Sequence, residues 1–234
     1  MKLFTATLGA APTKPLRLSS QPTFPPICLR RRSCCPAAPT ANETAPTQTT
    51  GDRAAPLKVS MVSLGCPKNT VDGEVLLGDL FRSGFEIIDA AEEADAIVIN
   101  TCGFVEDAKT ESIDTIIQAA RLKAEGKVKR VVVTGCLAQR YSDELAEQLP
   151  EADLVVGFQK YENLAGSLKE VLGAPPNIDL DEYSRRSRVQ VGEATVGFRP
   201  EWDRFRLTPR HTAYLRVAEG CNHACTFCAI PGFR

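Results

Sequence analysis

No run of apolar residues in this 234-residue chain approaches the roughly 20 that a helix needs to cross a bilayer, so no membrane partner is expected. Acidic residues are missing from the start: none precedes Glu43, and residues 1–50 set six Lys and Arg against that single acid. The remainder is acidic by contrast, with 22 basic and 28 acidic residues. A net charge near −6 there offers little of the phosphate attraction behind non-specific nucleic-acid binding, so no direct nucleic-acid grip is expected from this piece. There is no internal repeat. Nor is there a glycine-rich phosphate loop, which leaves little support for a flavodoxin-like cofactor-binding module.

What is present supports a real core. Apolar residues make up 43% of the chain, enough for one domain plus a tail or part of a second. The first fifty-odd residues combine Ser, Thr, Pro and Ala with Lys2, Lys14, Arg17 and the run Arg30 to Arg32. Residues 1–55 therefore read as an organellar transit peptide, the competing reading being a disordered extension that stays attached. Modest Arg content favours the plastid stroma over the mitochondrial matrix. Of nine cysteines, Cys28, Cys34 and Cys35 fall in this leader and are poor ligand candidates. A disulfide framework for the other six belongs to small, loop-rich secreted chains, so metal or cluster ligation in a reducing compartment fits better.

From Leu57 the pattern becomes strand runs alternating with amphipathic stretches. Val59 to Leu64, Ala96 to Ile99, Val131 to Val133 and Leu154 to Val156 are predicted strands, with Phe85 to Ile88 a weaker fifth. Continuous β-branched runs suit strands covered on both faces of a parallel sheet. Ile113, Ile116, Ile117 and Ala120 follow helical spacing, as do Leu164, Leu168, Val171 and Leu172. Asn69 is the predicted cap of the first helix, with Asp72 and Glu74 in its opening turn, where the helix dipole favours acids. The predicted fold is an α/β, doubly wound parallel sheet over residues 56–172. Residues 173–206, with Pro175, Pro176 and Pro200, read as a linker holding a short strand around Val189 to Val191. Residues 207–234 begin a second unit, in which Thr212 to Val217 alternates like a strand leading into a cysteine loop.

The cysteines carry the chemistry. Cys221, Cys225 and Cys228 are spaced CxxxCxxC, and three thiolates on one tight loop can hold three irons of a 4Fe-4S cluster, leaving the fourth without a protein ligand. The alternative is zinc completed by His223, but that histidine lies inside the motif, unlike the usual pairs, and a solvated loop histidine is expected instead. Cys66, Cys102 and Cys136 each lie just beyond the carboxyl end of a predicted strand. That edge is where ligands bind in open parallel sheets, so residues distant in sequence can converge there. The alternative, that they are small apolar core residues, would place them within strands rather than repeatedly at one end. Asp95, Glu106, Lys109 and Glu111 read as solvated charges.

With Phe227 before its third cysteine, the CxxxCxxC loop resembles the radical S-adenosylmethionine motif. SLGCPKN at 63–69, NTCGF at 100–104 and TGCLAQR at 134–140 join it in resembling the radical-SAM methylthiotransferase family over roughly residues 57–234. The sequence from Cys66 to Asn69 is similar to the branch acting on ribosomal protein S-twelve of the small subunit; the tRNA-modifying branch usually carries Cys-Gln-Met-Asn there. Ile230 to Arg234 resembles the same branch's IPSFR, with Gly232 in place of Ser. Thr70 and Gly73 depart from its NLVDSE continuation.

The resemblance implies that Cys66, Cys102 and Cys136 hold an auxiliary 4Fe-4S cluster carrying the sulfur to be transferred. It implies that Cys221, Cys225 and Cys228 hold a second, at which S-adenosylmethionine yields a radical that removes hydrogen from the β-carbon of an aspartate. An unactivated C–H bond offers no acid-base handle, so cofactor chemistry is required and no side chain is assigned a catalytic role. Ferredoxin or flavodoxin is the implied type of electron donor. The given sequence ends six residues past Cys228, before the rest of a radical-SAM barrel, and is expected to be an inactive fragment. The remaining alternatives are a tRNA adenosine methylthiotransferase and a non-catalytic cluster-binding fragment.

Overall fold

A computed structural model describes residues 55–173, 188–194 and 204–234. The leader with Cys28, Cys34 and Cys35 lies outside them, as does much of the predicted linker.

A parallel sheet of six strands forms in the order β2-β1-β3-β4-β5-β6. The strands are β1 (Lys58–Ser63), β2 (Glu86–Ile87), β3 (Ala96–Thr101), β4 (Arg130–Gly135), β5 (Leu154–Val156) and β6 (Val189–Gln190). The helices are α1 (Pro67–Arg82), α2 (Glu106–Ala124), α3 (Cys136–Arg140), α4 (Ser142–Gln148), α5 (Leu164–Gly173) and α6 (Ile230–Phe233). The expected doubly wound architecture is present. Every residue of β3 and β4 is buried, as strands covered on both faces require.

Alternation along the strands splits the core in two. Val59, Met61, Ala96, Val98, Val132, Leu154 and Val156 face one layer, with Leu76, Leu77 and Leu80 of α1 and Leu164 and Leu168 of α5. Val62, Ile97, Ile99, Val131, Val133 and Val155 face the other, with Ile116 and Ala119 of α2 and Leu145 of α4. Burying each large aliphatic side chain contributes about 1.5–3 kcal/mol.

Several local expectations shift. In α2 the buried stripe is Ser112, Thr115, Ile116 and Ala119, while Ile113 and Ile117 are exposed. The helix is rotated from the purely apolar phase because Ser112 is needed inward, as described below. The short strand expected within the linker does form, and it joins the sheet: β6 pairs with β5, Val155 opposite Val189. Thr212 to Val217 forms no strand, and Leu215 and Val217 are exposed. Alternation alone does not make a strand; a ladder partner is required, and among the described residues none pairs with it.

Candidate functional site

The three upstream cysteines leave adjacent strands at one edge of the sheet. Cys66 follows β1 and caps the start of α1, where Pro67 occupies a position that needs no N–H partner. Cys102 follows β3, and Cys136 opens α3 directly after β4. All strands run parallel, but the order β2-β1-β3 reverses the direction in which strands are added between β1 and β3, so Cys66 and Cys102 flank the topological switch point where ligands bind in such sheets.

Glycines beside the cysteines set how closely the loops approach. A Cβ on Gly65, whose φ is +87°, would lie 2.6 Å from the Cβ and 2.8 Å from the Sγ of Cys102. One on Gly103 would lie 2.9 Å from the backbone of Leu137 and 3.1 Å from that of Cys136. A side chain at either position would push the loops apart, so the first glycine lets the Cys66 loop close on Cys102 and the second lets the Cys102 loop close on the backbone at Cys136 and Leu137.

Two asparagines fix these loops from below. The Asn69 side-chain amide donates to the carbonyls of Leu64 at 2.7 Å, Asn100 at 3.2 Å and Thr101 at 3.1 Å. Asn100 donates back to the Asn69 carbonyl at 2.7 Å. Asn69 is thus a fully buried tie between two cysteine loops rather than the predicted helix cap. Ser112 of α2 also holds the Cys102 loop: its hydroxyl accepts from the Cys102 N–H at 3.0 Å, which explains the rotation of α2. Cys102 and Cys136 are buried and Cys66 is exposed. Burial pushes the Cys136 thiol up to about 11, while the Arg234 guanidinium pulls the other way.

Asp72 and Glu74 correct another expectation. Neither serves the helix dipole from solvent; both are 1% exposed and receive partners from far along the chain. Asp72 pairs with Arg216 at 2.7 Å and with Arg234. Burial raises the Asp72 carboxyl above the usual carboxylate range, against the opposing pull of Arg234. Glu74 pairs with Arg204 and accepts the Leu207 N–H at 2.9 Å. Glu219 completes the network, meeting Arg234 at 2.6 Å, Arg216 at 3.3 Å and Lys68 at 3.6 Å. These contacts seat residues 204–234 against α1. Composition did not reveal them, but the helical phase contained a signal: Asp72, Leu76 and Leu80 lie four apart on one stripe, and the two leucines are fully buried.

The second cysteine set is different in kind. Cys221 and Cys225 are exposed and Cys228 is half-buried; a single turn, the Cys228 N–H to the Cys225 carbonyl at 3.1 Å, orders the loop. His223 is exposed, as a solvated loop histidine should be. Among the described residues, no three His, Cys, Asp or Glu side chains converge as they would on a single ion. An iron-sulfur cluster makes a different demand, one thiolate for each of several irons, so its sulfurs stand around a perimeter. Each set offers three free sulfur donors, and the glycine-lined approach of the first leaves its loops no Cβ at their nearest points.

The charges read as solvated divide. Glu106 and Lys109 form a surface pair at 2.8 Å, and Glu111 is exposed. Asp95 is structural: it accepts the Lys58 N–H at 2.8 Å and pairs with Lys129 at 2.7 Å. Partial burial would raise its pKa, but these hydrogen bonds outweigh it and hold the carboxyl below its ordinary value.

Residues 58–157 match the model of Uncharacterized protein family UPF0004. The chain is 46% identical over 177 residues to the ribosomal protein uS12 methylthiotransferase RimO of Bdellovibrio bacteriovorus, covering 76% of this chain and 36% of that protein. It is 46% identical over 178 residues to the protein of the same name from Clostridioides difficile, with 76% and 38% covered. The Geobacter sulfurreducens counterpart is 44% identical over 177 residues, with 76% and 37% covered. Over 76% of its length the chain is similar to RimO-like methylthiotransferases. It spans less than two fifths of the length of the curated relatives it matches. The residues that match the UPF0004 model include all three upstream cysteines and the asparagines and glycines that position their loops.

Proposed function

We propose that the full-length protein places a methylthio group on the β-carbon of an aspartate in ribosomal protein uS12, and that this chain supplies both of its cluster sites. Cys66, Cys102 and Cys136 would hold the auxiliary 4Fe-4S cluster, and Cys221, Cys225 and Cys228 the cluster that takes S-adenosylmethionine. When bound, these groups supply the sulfur and the radical chemistry that no side chain provides. The observation that carries the reading is the meeting of three cysteine loops from β1, β3 and β4 at the carboxyl edge of the sheet. Similarity to proteins named for uS12 modification supports the substrate.

The chain's own residues organise the site. Asn69 and Asn100 lock the first two cysteine loops together, and Ser112 fixes the backbone of Cys102. Burial keeps the Cys136 thiol protonated in the empty site, and ligation there would require the thiolate, so the proton would have to leave. A ferredoxin or flavodoxin fits as the electron donor, and the plastid stroma as the compartment, given the leader composition. The test is mass spectrometry of uS12 incubated with reconstituted full-length protein, S-adenosylmethionine and a reductant. One methylthio group on an aspartate is expected, and it should disappear when Cys66, Cys102 and Cys136 are replaced by alanine. Modification of tRNA adenosine with uS12 untouched would overturn the substrate assignment.

A further inference from the structure

Arg234 lies six residues beyond Cys228, yet its side chain reaches the first cysteine set. Its Nη1 donates to the Cys136 Sγ at 3.2 Å, its Nη2 meets the Asp72 carboxylate, and its Nε donates to Glu219 at 2.6 Å. The guanidinium also lies 4.9 Å from the centre of the Phe158 ring, which itself packs edge-on against Tyr161. The residue is 9% exposed. Three partners from three parts of the fold, α1, α3 and the second cysteine loop, therefore share one desolvated cation. In such surroundings charge-assisted hydrogen bonds act more strongly than in water.

We propose that Arg234 is a positioning residue that ties the loop of Cys221, Cys225 and Cys228 to the first cysteine set, keeping its charge on the Cys136 sulfur so that one site tunes the other. The inference rests on the reading that Cys136 is a cluster ligand. Hydrogen bonds to ligand sulfurs and the net charge around them are among the factors that set cluster reduction potentials. A cation beside Cys136 favours the reduced, more negative state, whereas Asp72 opposes it. Removing the two partners should consequently move the potential in opposite directions, which general loosening of the structure would not do.

The experiment uses the full chain with Cys221, Cys225 and Cys228 replaced by alanine, so that only the first site is loaded. Iron is counted, and the potential is measured by redox titration followed by electron paramagnetic resonance. Arg234→Met is expected to lower the potential, Arg234→Lys to restore part of the shift, and Asp72→Asn to raise it. Should Asp72→Asn fail to fold, the Met and Lys pair still decides the matter. Loss of iron from Arg234→Met but not from Arg234→Lys also supports the assignment. An unmoved potential in iron-loaded Arg234→Met, iron loss from both Arg234 variants, or same-direction shifts in Arg234→Met and Asp72→Asn overturns it while leaving the cluster reading intact. A parent that binds no iron overturns both.

Discussion

The two cysteine sets, proposed to serve the same kind of ligation, are assembled by opposite means. The first is assembled by the fold: its members are 36 and 34 residues apart in sequence, brought together by strand order and held by buried asparagine, serine and glycine. The second is assembled by the chain: its members lie within eight residues on an exposed loop with little else to fix it. A site built by tertiary structure is preorganised and vulnerable to changes far from its ligands, whereas a local one is sensitive chiefly to the ligands themselves.

The largest effect should come from cutting the link between the two. Asp72→Ala leaves Arg216 and Arg234 without their buried partner, a class of change that costs about 3–5 kcal/mol. Chemical denaturation should show that loss, and hydrogen exchange should show residues 204–234 released from α1. Next comes Gly103→Val, which forces a side chain into the backbone of Leu137. Overpacking of this kind costs about 1–3 kcal/mol, and the variant should lose iron at the first site while the second still loads. Asn100→Ala removes the buried hydrogen bond to the Asn69 carbonyl, at about 0.5–1.5 kcal/mol, measurable as a lowered midpoint in urea. By contrast, replacing exposed Cys221 and Cys225 with alanine should change the stability of the metal-free chain by less than about 0.5 kcal/mol. A loss as large as that of Asn100→Ala would break the comparison.

The smallest effect concerns acid. Asp95 keeps its charge in the folded state at a pH where the unfolded chain would take up a proton. Its stabilising contribution is therefore present above the unfolded carboxylate pKa of about 4 and lost as pH falls through the lower folded value. Asp95→Asn should be less stable than the parent at pH 7, with the gap narrowing below pH about 4 in thermal melts.

Much of this was legible from residues alone, for identifiable reasons. Strands β1, β3, β4 and β5 announce themselves as β-branched runs because both faces are covered, and the cysteines mark the carboxyl edge because each ends such a run. The two-residue strands β2 and β6 sat at the limit of what periodicity resolves. What composition and spacing did not convey were partnerships across long separations. Asp72 meets Arg234 and Glu74 meets Arg204 across 162 and 130 residues, and Asn69 looked like a cap because two of its three carbonyl partners, Asn100 and Thr101, come near only after folding. Thr212 to Val217 misled for the complementary reason, since alternation records a two-sided segment and does not supply the neighbouring strand.

Anaerobic reconstitution followed by iron and sulfide counts tests the central claim most directly. Wild-type chain should bind about twice the iron of the Cys66, Cys102 and Cys136 triple alanine variant, as two independent thiolate sites require, and the variant lacking Cys221, Cys225 and Cys228 should match that half. Equal iron in wild type and the first variant would contradict the claim that the three strand-end cysteines form a ligand set.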